Sequence, residues 1–77
     1  MTSIQLGRAV RKQRRAQSLR QSELASIAGV GIRFISELEN GKQTLELGRV
    51  IKVMETVGLC LEIKERSNHW PETHVQK

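Results

Sequence analysis

The stretch from Leu19 to Lys42 constrains the fold of this chain more than any other. It reads as two short helices joined by a tight glycine turn. Residues 21–28 make the first of the two, with Leu24, Ala25 and Ala28 facing inward. Gly29 suits the left-handed backbone that ends a helix and opens a turn. Val30 is an apolar anchor within that turn. Residues 32–39 make the second helix. Ile35 and Leu38 share a face, and Glu39 continues it at i+4 from Ile35. Asn40-Gly41 is a strong stop.

The flanking sequence supplies further helices. Residues 4–17 place Leu6, Val10 and Gln13 together on a helical wheel, with Ala9 at the edge. Arg8, Arg11, Lys12 and Arg15 cluster opposite, whereas Arg14 lies beside the apolar stripe. Residues 42–46 form a loop. Residues 47–57 carry Leu47, Val50, Ile51 and Met54 at i, i+3, i+4, i+7, extended by Val57. Gly58 follows as a helix stop. In Leu59-Cys60-Leu61-Glu62-Ile63-Lys64 the apolar residues alternate, the period of a half-buried strand. A lone strand leaves its backbone groups unpaired. Its simplest partner is the same segment of a second copy about a twofold axis, which assigns Leu59, Leu61 and Ile63 to a dimer interface. Residues 66–77 are polar and aperiodic and read as a flexible tail.

A chain of 77 residues is one domain, and one this small is marginal alone. Without a disulfide pair or metal cluster, oligomerisation is the remaining common remedy. The formal charge is +5 and is unevenly spread. Residues 1–33 hold seven Lys or Arg and one acid, Glu23, whereas residues 34–65 hold four basic residues and six Glu. A basic half joined to a neutral or acidic half suggests an oriented polyanion-binding face. The single cysteine, Cys60, fits a reducing cytoplasm. No stretch approaches the roughly 20 apolar residues of a membrane span, and no signal-peptide core is evident. These features predict a soluble cytoplasmic chain.

Enzyme chemistry has little support. There is no Asp and no Tyr, no glycine-rich phosphate loop and no nucleophile with a plausible base. His69 and His74 have no Cys or carboxylate cluster near them and read as surface residues. No catalytic residue, metal site or cofactor is expected, and no core is large enough for a small-molecule ligand.

The run Gln21-x-Glu23-Leu24-Ala25, Ala28-Gly29-Val30, Ile35-Ser36 and Leu38-Glu39-Asn40-Gly41-Lys42 resembles the Cro/C1-type (XRE) helix-turn-helix of phage repressors. The resemblance covers residues 6–58. A narrower one, carried by Gly31-Ile32-Arg33-Phe34-Ile35, Leu38 to Lys42 and Val57-Gly58-Leu59, is to HipB-type antitoxins paired with HipA-like kinase toxins. It implies an all-α, lambda repressor-like bundle of four to five helices whose second short helix enters the DNA major groove. A C-terminal strand would pair across a homodimer.

The resemblance also distributes roles. Gln21 would bond a phosphate or support a base contact from the start of its helix. Gly31, Ile32, Arg33 and Ser36 would face the groove. Arg33 is the one long charged donor there and can fork onto guanine O6 and N7, or touch only phosphate. Ile32 packs on a thymine methyl or belongs to the core. Asn40, Lys42 and Thr44 would clamp the backbone. Arg20 stands where Ser or Thr usually caps, so the cap is weak and the side chain is free for phosphate. Gly31 replaces a frequent capping hydroxyl and lets the backbone approach DNA. Arg14 and Glu39 would form the internal ion pair of the family. The basic arc of the first helix fits phosphate attraction, a toxin surface or a solvated face equally. Trp70 fits a toxin pocket, folding back, or solvent.

The sequence thus predicts a domain over residues 1–65 with strand 59–64, followed by the tail. It predicts a sequence-specific repressor that is the antitoxin of a HipA-like kinase, autoregulating its operon in the bacterial nucleoid. A stand-alone repressor of the same family is the first alternative, and a protein-interaction adaptor the second.

Overall fold

The computed structural model describes residues 1–65, which form four helices and no strand. These are α1 (Ser3–Ala16), α2 (Gln21–Ala28), α3 (Ile32–Glu39) and α4 (Leu47–Thr56). The bounds of α2 and α3 match those read from the sequence. α1 begins one residue earlier than expected because Thr2 caps it. The Thr2 hydroxyl accepts from the Gln5 N–H at 3.1 Å, and Gln5 Oε1 accepts from the Thr2 N–H at 2.9 Å. Thr-x-x-Gln is a helix-start signature that satisfies two otherwise orphan donors. Trp70, His69, His74 and the rest of residues 66–77 lie outside the described residues.

All four helices end the same way. A residue just past each helix adopts positive φ, immediately after α2 (Gly29 at 74°) and two residues beyond α1, α3 and α4 (Ser18 at 58°, Gly41 at 85° and Gly58 at 89°). The N–H of the following residue then reaches back into the last turn. Leu19 bonds the Arg14 carbonyl at 3.1 Å, Val30 that of Ala25 at 3.0 Å, Lys42 that of Glu37 at 3.0 Å, and Leu59 that of Met54 at 2.8 Å. This closure uses carbonyls that a helix end leaves unpaired. Glycine serves at three of the positions. Ser18 is the exception and carries a steric cost of roughly 1–2 kcal/mol.

The core unites Val10 of α1, Leu24, Ala25 and Ala28 of α2, Ile35 and Leu38 of α3, and Val50, Val53 and Met54 of α4 with Val57. Leu6, Val30, Phe34, Leu45 and Leu59 pack around it. α1 and α2 lie against α3, and α4 lies against α2. Gln17 Nε2 donates to the Val57 carbonyl at 2.8 Å and ties the end of α1 to the end of α4.

The face of α4 differs from the expected one. Val53 is fully buried, whereas Leu47 is 62% exposed and Ile51 half-buried. The helix carries two overlapping i, i+3, i+4, i+7 stripes, 47/50/51/54 and 50/53/54/57. The core takes the second, which leaves the first partly in solvent. The expected strand is absent from the single chain: residues 59–65 take no regular structure. Leu59 packs against the core, Leu61 is exposed, and Ile63 is 94% exposed.

α1 approaches the end of α3 through Gly7, which is buried. A Cβ at this position would land on the Leu38 carbonyl oxygen and lie 2.9 Å from that of Glu39. Backbone therefore meets backbone, and even a methyl group would cost about 1–3 kcal/mol through forced displacement. Ser3 Oγ donates to the Gly41 carbonyl at 2.9 Å and holds the same junction from the other side.

Candidate nucleic-acid interface

α3 divides into a buried half and an outward half. Ile35, Leu38 and Glu39 face the core. Ile32 and Arg33 are exposed, and Ser36 and Glu37 are half-buried. Ile32 is therefore not a core residue. Arg33 and Ser36 stand at i and i+3 on the outward side. Arg33 has its side chain 88% exposed. Gly31 caps α3 at φ −76°, a conformation open to any residue, and a Cβ there would meet nothing within 4 Å. The fold does not require glycine at this position.

The far end of α3 is fixed by a buried ion pair. Arg14 Nε donates to Glu39 Oε2 at 2.6 Å, and Arg14 Nη2 to Glu39 Oε1 at 2.9 Å. This is the two-pronged geometry in which a guanidinium matches a carboxylate best. The Glu39 side chain is fully buried and that of Arg14 is 9% exposed. Arg14 Nη1 also donates to the Leu19 carbonyl at 2.7 Å. Gln21 Nε2 adds a bond to Glu39 Oε1 at 3.1 Å. Gln21 is thus half-buried and tied to the core of the motif, with its amide oxygen left over for any contact to DNA.

Arg11 was expected on the basic arc opposite the core. It is instead half-buried, donates to Glu39 Oε1 at 3.3 Å and reaches Asn40 Oδ1 at 3.5 Å. The crossing of α1 over α3 brings it there, and single-helix periodicity does not report that crossing. Arg8, Lys12 and Arg15 remain exposed.

The cluster accounts for its own electrostatics. Burial pushes the Glu39 carboxyl toward the neutral form. The bonds from Arg14, Gln21 and Arg11 outweigh burial and hold its pKa below the ordinary carboxylate value. The bond to Glu39 raises the Arg14 pKa above its ordinary value, against the opposing effect of burial. No buried side-chain nitrogen or oxygen among the described residues lacks a hydrogen-bond partner.

The remaining residues with expected DNA roles lie around this frame. Arg20 precedes α2 with its side chain exposed. A guanidinium cannot accept a capping bond, and the Arg20 N–H is satisfied by Glu23 Oε1 at 2.7 Å. Asn40, Lys42 and Thr44 follow α3 and are exposed. Lys42 Nζ lies 3.3 Å from Glu37 Oε2, which also takes Arg33 Nε at 3.3 Å. Glu37 had no assigned role from the sequence, although Arg33 and Glu37 stand at the i, i+4 spacing of a helix ion pair.

The helix-turn-helix family model (HTH_3) matches residues 10–60. The chain is 48% identical over 62 residues to the "Uncharacterized HTH-type transcriptional regulator y4mF" of Sinorhizobium fredii, covering 80% of this chain and 82% of that protein. A solved structure described as "MDT Protein" superposes with a TM-score of 0.75 at 26% identity, over 84% of this chain and 92% of the other. No helix among the described residues is long and apolar enough to cross a membrane.

One prediction concerns acid. In the unfolded chain Glu39 titrates near the usual value of about 4.3. Its folded pKa is lower, so its stabilisation is present above the unfolded value and is lost as pH falls through the folded one. Glu39→Gln should cost roughly 3–5 kcal/mol at neutral pH by leaving Arg14 unpaired. It should also narrow the stability difference between neutral pH and about pH 3. Urea unfolding of both chains at the two pH values measures this. Equal acid losses would show that Glu39 is not the group that titrates. Matched arrangement, sequence and fold together place the chain in the helix-turn-helix family of transcriptional regulators.

Proposed function

We propose that this regulator is a sequence-specific repressor that reads an operator through the outward half of α3. The observation that carries the reading is the contrast within one short helix. Its inner residues are locked by the core and the Arg14–Glu39 pair, while Ile32 and Arg33 stand in solvent with no packing role. Arg33 reads a guanine, Ser36 and Gln21 support it, and Ile32 packs on a thymine methyl. Gly31, which the backbone does not need, leaves room for close approach to the duplex. Arg20, Asn40, Lys42 and Thr44 hold phosphates.

The repressor acts as a homodimer. The apolar side chains of Leu47, Leu61 and Ile63 are exposed on a small domain, and residues 59–64 have the alternation of a strand without a partner in one chain. The resemblance to HipB-type proteins further supports an antitoxin that restrains a HipA-like kinase and represses its own operon. In this reading Trp70 anchors the toxin.

Three measurements test these parts separately. Arg33→Ala should lose about 1–3 kcal/mol and relax preference at one base position per half-site, and Lys42→Ala should weaken all sequences alike. Unchanged preference in Arg33→Ala would reduce Arg33 to a phosphate contact.

Leu61→Pro removes a ladder donor and should split the dimer in sedimentation. A folded dimer that survives it would eliminate the strand pairing.

A chain ending at Arg66 should keep operator affinity and lose affinity for a HipA-like kinase in titration calorimetry. Retained kinase affinity would move recognition to the helical body, and no affinity in the full chain would favour a stand-alone repressor.

A further inference from the structure

Two cations of the outward face converge on one acid. Glu37 lies one turn beyond Arg33 on α3, and its Oε2 stands 3.3 Å from both Arg33 Nε and Lys42 Nζ. An exposed pair of this kind contributes only a fraction of the stability of a helix. An acid here also repels any approaching phosphate. Both facts ask for a role other than holding the fold.

Building on the assignment of α3 to the groove, we propose that Glu37 sets the base specificity of Arg33. The first part of the argument is geometric. A guanidinium offers its Nε–H and the four N–H groups of its two Nη atoms in a rigid fork. With Nε held by Glu37, the side chain is oriented and its terminal Nη pair is the donor set left for a base. That pair matches the O6 and N7 acceptors of guanine. A long side chain fixed in this way reads one position rather than sweeping across several phosphates.

The second part is electrostatic. Glu37 offsets the charge that Arg33 and Lys42 present to phosphates, and phosphate attraction is the same for every sequence. Hydrogen bonds to a guanine edge depend on alignment and survive that offset. The acid therefore weakens binding to wrong sites more than to the right one, and specificity is that difference.

The test begins with the duplex that the full chain selects from a random pool, in which Arg33→Ala identifies the guanine read by Arg33. Dissociation constants are then measured at several salt concentrations for that duplex and for one altered at the guanine. In Glu37→Gln, discrimination between the two should fall by about ten-fold, mainly because the altered duplex binds more tightly. The salt slope should steepen, by up to about one, because the acid that offsets the charge of Arg33 and Lys42 at the phosphates is gone. In an Arg33→Ala background, Glu37→Gln should leave discrimination unchanged. A thermal unfolding midpoint close to that of the parent chain shows that Glu37→Gln keeps the fold. Full discrimination in Glu37→Gln, or a loss at another base pair, where the carboxylate itself would accept from a cytosine amino group, overturns the proposal alone. An Arg33→Ala chain that selects the same duplex overturns the base assignment of Arg33, and this inference with it.

Discussion

The buried pairing of Arg14 with Glu39 is the interaction on which the rest of the molecule depends. One carboxylate gathers bonds from α1, through Arg14 and Arg11, and from the start of α2, through Gln21. The same arginine holds the carbonyl of Leu19 in the turn between those helices. Three segments distant in sequence therefore share one charged centre at the C-terminal end of α3. Hydrophobic contact alone is non-directional. A two-pronged ion pair whose carboxylate also takes bonds from Arg11 and Gln21 is directional, and it helps fix how α3 sits across α1 and α2.

This arrangement also decides which charges are left for a partner. A chain with a formal charge of +5 looks uniformly basic along its first half. Arg11 and Arg14 are nevertheless consumed internally, and Arg33 and Lys42 share Glu37. What remains exposed around α1 and α2 is Arg8, Lys12, Arg15 and Arg20. A count of charges along a sequence thus overstates what a polyanion meets. The relevant quantity is the charge left over after internal pairing, together with its direction.

Much of the fold was legible because α2 and α3 carry both their apolar spacing and their punctuation. Gly29 and Asn40-Gly41 end those helices where the chain turns. The start of α1 was read one residue late, because apolar spacing does not report the capping bonds of Thr2 and Gln5. The orientation of α4 was not, because apolar residues at 47, 50, 51, 53, 54 and 57 permit two faces of equal quality. Only the shape of the remaining core selects Val53 over Leu47. Within the candidate interface, the exposure of Arg33 followed from its position opposite Ile35 and Leu38. The inward turn of Arg11 and the link from Gln21 to Glu39 depend on how helices cross, which no single-helix pattern contains. Residues 59–64 pose a different problem: their alternation can be read in one chain, which nevertheless forms no strand there, because a strand needs a partner to pair with.

The close approach at Gly7 has a consequence for how such a protein diversifies. Where side chains separate two helices, exchanging one for another retunes the angle between them. At Gly7 main chain meets main chain, so no side chain at that point can be exchanged to retune the approach. Inheritance can then alter the solvent side of α3 at Ile32, Arg33 or Ser36 without disturbing the frame beneath. The outer face of the helix is then free to vary in sequence while the chain folds in the same way.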